Sequence, residues 1–194
     1  FRDWYGLDLA GAALALHHLN AKCDMSDKCP ILLWYRRDLR LSDHPALSAA
    51  ANAGRPVIPV FIKDKSVNAL GAAPKWRLGL GIGALADSLE GVSSRLILRE
   101  GDALEVLQAL IKETGAGAVY WSRLYDPDSV QRDSKIKETL CSDGIEAKSF
   151  GGHVMFEPWT VETKAGDCYK VYTPFWNNVK TRDVEPPLSA PSDL

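Results

Sequence analysis

The sequence predicts an α/β protein, a doubly wound five-stranded parallel sheet in the order 3-2-1-4-5 with helices on both faces. Three observations carry that prediction. Short apolar runs, too short for helices, alternate with stretches of helical periodicity from residue 31 to residue 150. Gly54 and Gly101-Asp102 punctuate them as turn residues. The first run, Ile31-Leu-Leu-Trp-Tyr35, is followed at once by three arginines and an aspartate, and in an open sheet such groups line the crevice outside the carboxyl ends of the strands. Alternation of this kind requires parallel strands joined by right-handed crossovers.

The elements can be placed in order. After the first strand, Ser42 or Asp43 is placed to cap a helix beginning near Pro45, because proline is well tolerated in a first helical turn. Alanine-rich residues 46–53 carry that helix to Gly54, a good stop. Residues 57–62 form a second strand closed by Lys63 and Asp64, residues 64–75 a connecting loop, and residues 76–89 a helix. A third strand spans 95–99. The helix over 103–114 places Leu104, Leu107, Leu110 and Ile111 on one face. Strand 118–121, helix 129–141 and strand 145–150 complete the sheet.

The two ends break the rhythm. Residues 153–172 read as a long excursion, with breaks at Glu157-Pro158 and Gly166-Asp167, and the Pro/Ser-rich residues 186–194 have the composition of a linker. Residues 1–24, Ala/Leu-rich over 7–19, look foreign to the rest of the chain. The expected organisation is an extension of uncertain origin over 1–24, the α/β domain over 25–176, and the start of a linker over 177–194.

A chain of 194 residues with 46% hydrophobic and 25% charged residues has the composition of a soluble protein able to bury one full core. Its net charge of -2 argues against a self-sufficient nucleic-acid binder, which carries a basic excess. No apolar run approaches membrane-spanning length and no signal peptide is evident, so a cytoplasmic protein is expected. Cys23, Cys29, Cys141 and Cys168 are widely scattered and lack zinc spacing, which points to reduced thiols.

Gly79-Leu-Gly-Ile-Gly-Ala84 matches a dinucleotide-binding fingerprint, with Glu100 downstream as a candidate ribose-binding acid. Pro74, Lys75, Trp76 and Arg77 precede it where a strand is required, so close packing of a helix is the competing explanation. Arg36, Arg37, Asp38 and Arg40 are the strongest polar cluster. With Asp64 and Ser122 they point into one crevice, and an internal Arg–Asp pair that fixes the loop is equally compatible. Trp121-Ser-Arg-Leu-Tyr-Asp-Pro127 ends the fourth strand beside the first, and Tyr125 and Trp76 offer aromatic surface for a flat ring. No nucleophile–base pair or paired carboxylates stand out, so no catalytic or metal-binding residue is assigned.

These residues also carry a family resemblance. Trp34-Tyr-Arg-Arg-Asp-Leu-Arg-Leu-Ser-Asp-His-Pro-Ala-Leu47 resembles the W-[FY]-R-x-D-L-R-x-x-D-[NH]-x-A-L opening of DNA photolyases and cryptochromes. Phe61-Ile-Lys-Asp64 is similar to the family's F-x-x-D. Val119-Tyr-Trp-Ser-Arg-Leu-Tyr-Asp-Pro127, followed by Arg132-Asp133, is similar to V-Y-W-N-x-x-Y-x-P and its R-D. Tyr169-Lys-Val-Tyr-Thr-Pro-Phe-Trp176 looks like the Y-x-V-[YF]-T-P-F that closes the domain.

The resemblance implies a Rossmann-like antenna domain standing before a large helical domain, absent here, that holds FAD and binds damaged DNA. The α/β domain of such enzymes holds a light-harvesting chromophore, a folate such as methenyltetrahydrofolate or a deazaflavin. The reduced flavin then splits pyrimidine dimers by electron donation, which makes the parent a deoxyribodipyrimidine photo-lyase and leaves this chain inactive alone. Carried over residue by residue, Arg36, Arg37, Asp38, Arg40, Phe61, Asp64, Trp76, Ser122, Tyr125 and Asp128 mark the antenna pocket. Asp128 and Ser129 stand about where many folate-binding members have Asn-Glu, which leaves the antenna's identity open. The alternatives are a cryptochrome photoreceptor and a free-standing nucleotide- or nicotinamide-binding domain. No protein partner is inferred.

Overall fold

The computed structural model describes residues 29–194. Five strands, β1 (Ile31–Tyr35), β2 (Val57–Lys63), β3 (Ile97–Glu100), β4 (Ala118–Ser122) and β5 (Glu146–Phe150), form one parallel sheet in the order 3-2-1-4-5. β1 lies at the centre, with Trp34 in register with Val60 on β2 and Trp121 on β4. All five of its residues are buried, as expected of a strand covered on both faces.

Because successive side chains of a strand point to opposite faces, β1 feeds two cores. Ile31, Leu33 and Tyr35 pack with α1 (Pro45–Ala51) and α3 (Ala72–Glu90), through Leu47, Ile82, Leu85 and Leu89. Leu32 and Trp34 pack with α4 (Ala103–Thr114) and α5 (Pro127–Ser142), through Leu107, Leu110, Ile136 and Leu140. The sheet is therefore doubly wound.

Capping side chains set the helix starts. Asp102 accepts the Leu104 N–H at 2.9 Å at the start of α4, which ends on Gly115 at φ 70. Asp126 accepts the Ser129 N–H at 3.0 Å, with Pro127 in the first turn of α5. At α1 the expected caps, Ser42 and Asp43, are not used. Asp43, at φ 50, makes the preceding turn and brings His44 Nδ1 to 3.0 Å from the Leu47 N–H.

Residues 64–75 are not a loop throughout. Asp64 Oδ1 accepts the N–H groups of Ser66 and Val67 and starts a short helix, α2 (Lys65–Asn68). α3 then begins at Ala72, because Pro74 falls in its first turn, where no N–H is needed. Gly79, Gly81 and Gly83 consequently lie within α3 and not at a strand-to-helix turn, so they form no phosphate-binding fingerprint. A Cβ on Gly81 would stand 2.9 Å from Leu39 Cδ1, so the glycine admits the loop that follows β1. Glu100 pairs with Lys63 at 2.8 Å.

Beyond β5 the chain forms a 3-10 turn, Pro158–Thr160, and α6 (Tyr172–Val179). The tail then returns to the α/β body: the Asp43 N–H donates to Leu188 O at 2.7 Å and the Leu194 N–H to Val92 O at 3.2 Å. Cys29 is disulfide-bonded, against the expectation of reduced thiols, while Cys141 and Cys168 are free and exposed. The expectations for residues 1–24 and Cys23 fall outside the described residues. Among the described residues, no helix is long and apolar enough to cross a membrane. Removing one cap tests the origin of the helix starts: Asp126→Ala should lower stability by about 1 kcal/mol, read from the midpoint of urea unfolding.

Candidate functional site

The site grows from the carboxyl end of β1. The Arg36 N–H donates to Asp38 Oδ1 at 2.9 Å, which folds the chain tightly as it leaves the sheet. The Arg36 side chain turns back over the strand end. Its Nη1 lies 2.6 Å from Asp133 Oδ2 on α5, and its Nη2 donates to Ser122 O at the end of β4. Its guanidinium carbon sits 4.6 Å from the centroid of the Trp34 ring. Burial pushes the Arg36 pKa down, and Asp133 is the main opposing influence.

Asp133 takes a second arginine. Arg132 donates to Asp133 Oδ1 at 2.8 Å through Nη2 and to Asp64 Oδ2 at 3.0 Å through Nη1. Asp64 in turn caps α2. One continuous run of charged contacts, Arg36–Asp133–Arg132–Asp64, therefore ties β1, α5, β2 and α2 together.

Those elements enclose a cavity of about 240 Å³ at the carboxyl edge of the sheet. Its walls are mostly apolar, from Trp34, Phe61, Ile62, Val67, Leu70, Leu78 and Leu124, and its polar rim is Arg36, Arg37, Asp64, Ser66, Ser129 and Arg132. Trp34 Nε1 and Arg36 Nε are buried there without an acceptor among the described residues. Buried donors of this kind are seldom left unmatched, so the cavity suits a flat ring that carries acceptors on its edge.

Of the ten residues singled out in the sequence, Arg36, Arg37, Phe61 and Asp64 meet in this cavity. Asp38, 2% exposed, does not line it. Arg40 reaches away, donating through Nη2 to Asp43 O at 2.6 Å and to Gly152 O at 2.9 Å, which ties the turn after β1 to the exit of β5. Ser122 is buried and offers its carbonyl to Arg36. Tyr125 lines a neighbouring cavity of about 450 Å³ and donates its hydroxyl to Glu157 Oε2 at 2.9 Å. Asp128 lines a broad charged groove of about 840 Å³ with Arg37, Lys65 and Lys135. Trp76 is 64% exposed on α3 and lines none of the three.

The comparisons with known proteins concern the chain as a whole. The DNA photolyase family profile matches residues 31–192. The chain belongs to the DNA photolyase family. It is 47% identical over 164 residues to a deoxyribodipyrimidine photo-lyase of Agrobacterium fabrum, covering 84% of this chain and 34% of that protein. The crystal structure of a bacterial class III photolyase from Agrobacterium tumefaciens superposes with a TM-score of 0.83 at 45% identity, over 86% of this chain and 35% of the other. Cryptochrome-1 of Arabidopsis thaliana is 34% identical over 169 residues, covering 84% of this chain and 25% of the plant protein. The chain thus spans about a third of the length of the photolyases it matches.

Asp38 is the titratable group most dependent on this arrangement. Burial alone would raise its pKa, but His44, Ser122 and the Arg36 N–H together hold it below the ordinary value of 3.8. His44 Nδ1 accepts the Leu47 N–H, which leaves Nε2 to face Asp38 Oδ2 at 2.8 Å. A carboxylate with a depressed native pKa contributes stability that is complete above about pH 4 and is lost as pH falls through the native value. Asp38→Asn should therefore cost about 2 kcal/mol at neutral pH and flatten the acid limb of the stability profile below about pH 4, measured by chemical denaturation across pH.

Proposed function

We propose that this chain is the antenna-carrying α/β part of a DNA photolyase whose full length repairs pyrimidine dimers with light. The observation that carries this reading is the apolar cavity at the carboxyl edge of the sheet, roofed by a buried arginine and holding two donors without acceptors. Membership in the photolyase family supports it.

The cavity fits part of a chromophore. Its volume of about 240 Å³ lies just under the ~300–1,000 Å³ common for small-molecule sites. It therefore suits the ring system of a folate or a deazaflavin, with the rest of the molecule outside. Phe61 and Leu124 would flank the ring, Trp34 Nε1 and Arg36 Nε would donate to its acceptors, and Arg37, shared with the charged groove, would meet an anionic tail. Bound there, the chromophore supplies absorption in the near ultraviolet or blue and passes its excitation to a flavin.

The residues of this chain hold and orient that group and keep water from its ring. Lesion chemistry, FAD and contact with damaged DNA belong to the two-thirds of the parent that this chain does not span, an assignment consistent with its net charge of -2. Residues 25–176 form the antenna unit in this reading and 177–194 lead toward the rest, while residues 1–24 remain an extension.

Repair by the full-length protein tests the reading. Blue light should remove thymine dimers from DNA bound to it, and darkness should leave them intact. A protein that retains flavin and repairs nothing would instead be the photoreceptor that the 34% identity to an Arabidopsis cryptochrome allows.

A further inference from the structure

Three stretches far apart in sequence meet beside the carboxyl end of β1: the turn after β1, the start of α1 and the loop that leaves β5. Arg40 clasps them, donating through Nη2 to Gly152 O at 2.9 Å and to Asp43 O at 2.6 Å. The approach is close. A Cβ on Gly152 would stand 3.0 Å from Pro45 Cδ, and the φ of 124 at that position also favours glycine. Further along the loop, Glu157 accepts from Arg123 Nη1 at 2.6 Å and from the Tyr125 hydroxyl at 2.9 Å, a latch that sets the 3-10 turn. Between clasp and latch stands His153.

His153 is half-buried, and its Nε2 is shielded from solvent with no hydrogen-bond partner among the described residues. The charged and titratable groups that face it are Arg36, Asp38 and Arg40 from the turn after β1 and His44 from the start of α1. Asp38 is the one carboxylate among them, and it is already occupied. Its Oδ1 takes the Arg36 N–H at 2.9 Å, His44 Nε2 faces its Oδ2 at 2.8 Å, and the Ser122 hydroxyl bonds to the same carboxylate. Glu157 is taken by the latch, and Asp133 by Arg36 and Arg132. Tyr35, whose ring packs edge-on to His44 at 5.0 Å between centroids, stays protonated because burial and Asp38 raise its pKa.

These surroundings accept only one form of the ring. A neutral His153 with its proton on Nδ1 leaves Nε2 without a hydrogen and needs no acceptor there. A protonated His153 adds a further positive charge beside Arg36 and Arg40 and an Nε2–H with nothing to receive it.

We propose that His153 is a pH-sensitive plug, whose protonation in mildly acidic solution expels the ring from this cluster and frees residues 151–156 from the turn after β1. Burial lowers the His153 pKa from its ordinary 6.5, with Asp38 opposing and Arg36, Arg40 and His44 adding to the effect. The closed loop therefore binds fewer protons than the open one, so closure is complete above about pH 6.5 and is lost as pH falls through the native value. Each pH unit within that window raises the open-to-closed ratio by up to about tenfold. Asp38 stays ionised throughout it. The loop leads into α6 and a tail whose Leu188 O receives the Asp43 N–H on the same turn, so the plug sets how firmly the segment leaving the α/β body is held. The inference goes beyond the photolyase reading and does not depend on what fills either cavity.

NMR titration of the chain from about pH 8 to about pH 4.5 tests this. The His153 ring should titrate with a midpoint below 6.5, and the Gly152 and Val154 amides, rigid by heteronuclear relaxation at about pH 7.5, should become mobile with that same midpoint. His153→Gln, which carries no charge, should keep the loop rigid across the range, with an unfolding midpoint at about pH 7.5 matching the wild type. The plug is refuted if His153 titrates at or above 6.5 or stays neutral to about pH 4.5, or if the loop amides remain rigid while it titrates. It is equally refuted if His153→Gln loosens with the wild-type midpoint, which would assign the transition to His44. The ring and amide titrations come from the wild type alone, so they decide the matter even if the variant fails to fold.

Discussion

The guanidinium of Arg36, buried where β1, β4 and α5 converge, is the constraint on which the rest of this molecule depends. An unpaired charge at that depth would cost several kcal/mol, so Asp133 and the Ser122 carbonyl must stand where they do. Asp133 then commits Arg132, and Arg132 commits Asp64, whose other oxygen starts α2. Buried ion pairs are poor sources of net stability but strict about geometry. Here that strictness fixes the separation of the strand ends and thereby the shape of the cavity between them. Trp34, lying under both arginines, is held by the same network.

The same constraint separates two environments on α5. Asp133 faces the wider cavity while its carboxylate is occupied by the arginines of the narrower one. Neighbouring positions of one helix therefore serve two cavities without sharing charge. The wider one is closed by a different device, the Glu157 latch, which acts on the loop after β5 and not on the sheet.

Much of this was legible in the sequence. Short continuous apolar runs and helices with period 3.6 were enough to place five strands and their order, because a run such as β1, apolar at every position, is buried on both faces and belongs at the centre. The cluster at Arg36 was legible because charge directly after a buried strand has few places to go. What escaped were contacts decided by tertiary geometry. Arg132 and Trp34 belong to the cavity through a helix face and a strand face that no local pattern marks. α2 exists because one oxygen of Asp64 caps it, and α3 starts early because Pro74 fits a first turn. Trp76 was an attractive aromatic in the sequence, yet its position on α3 turns it to solvent. Tyr125 and Asp128 follow β4 as expected but diverge into separate cavities, since the turn at Asp126 and Pro127 redirects the chain.

The cavity under Arg36 is expected to hold a light-absorbing ring. This is checked most directly by the near-ultraviolet and visible absorption spectrum of the purified full-length protein, compared with that of its Val67→Trp variant. The wild type should show a band beyond those of protein and flavin, lost in the variant while the flavin bands persist. A wild-type spectrum showing flavin alone, or a variant that keeps the extra band, would contradict a chromophore in that cavity.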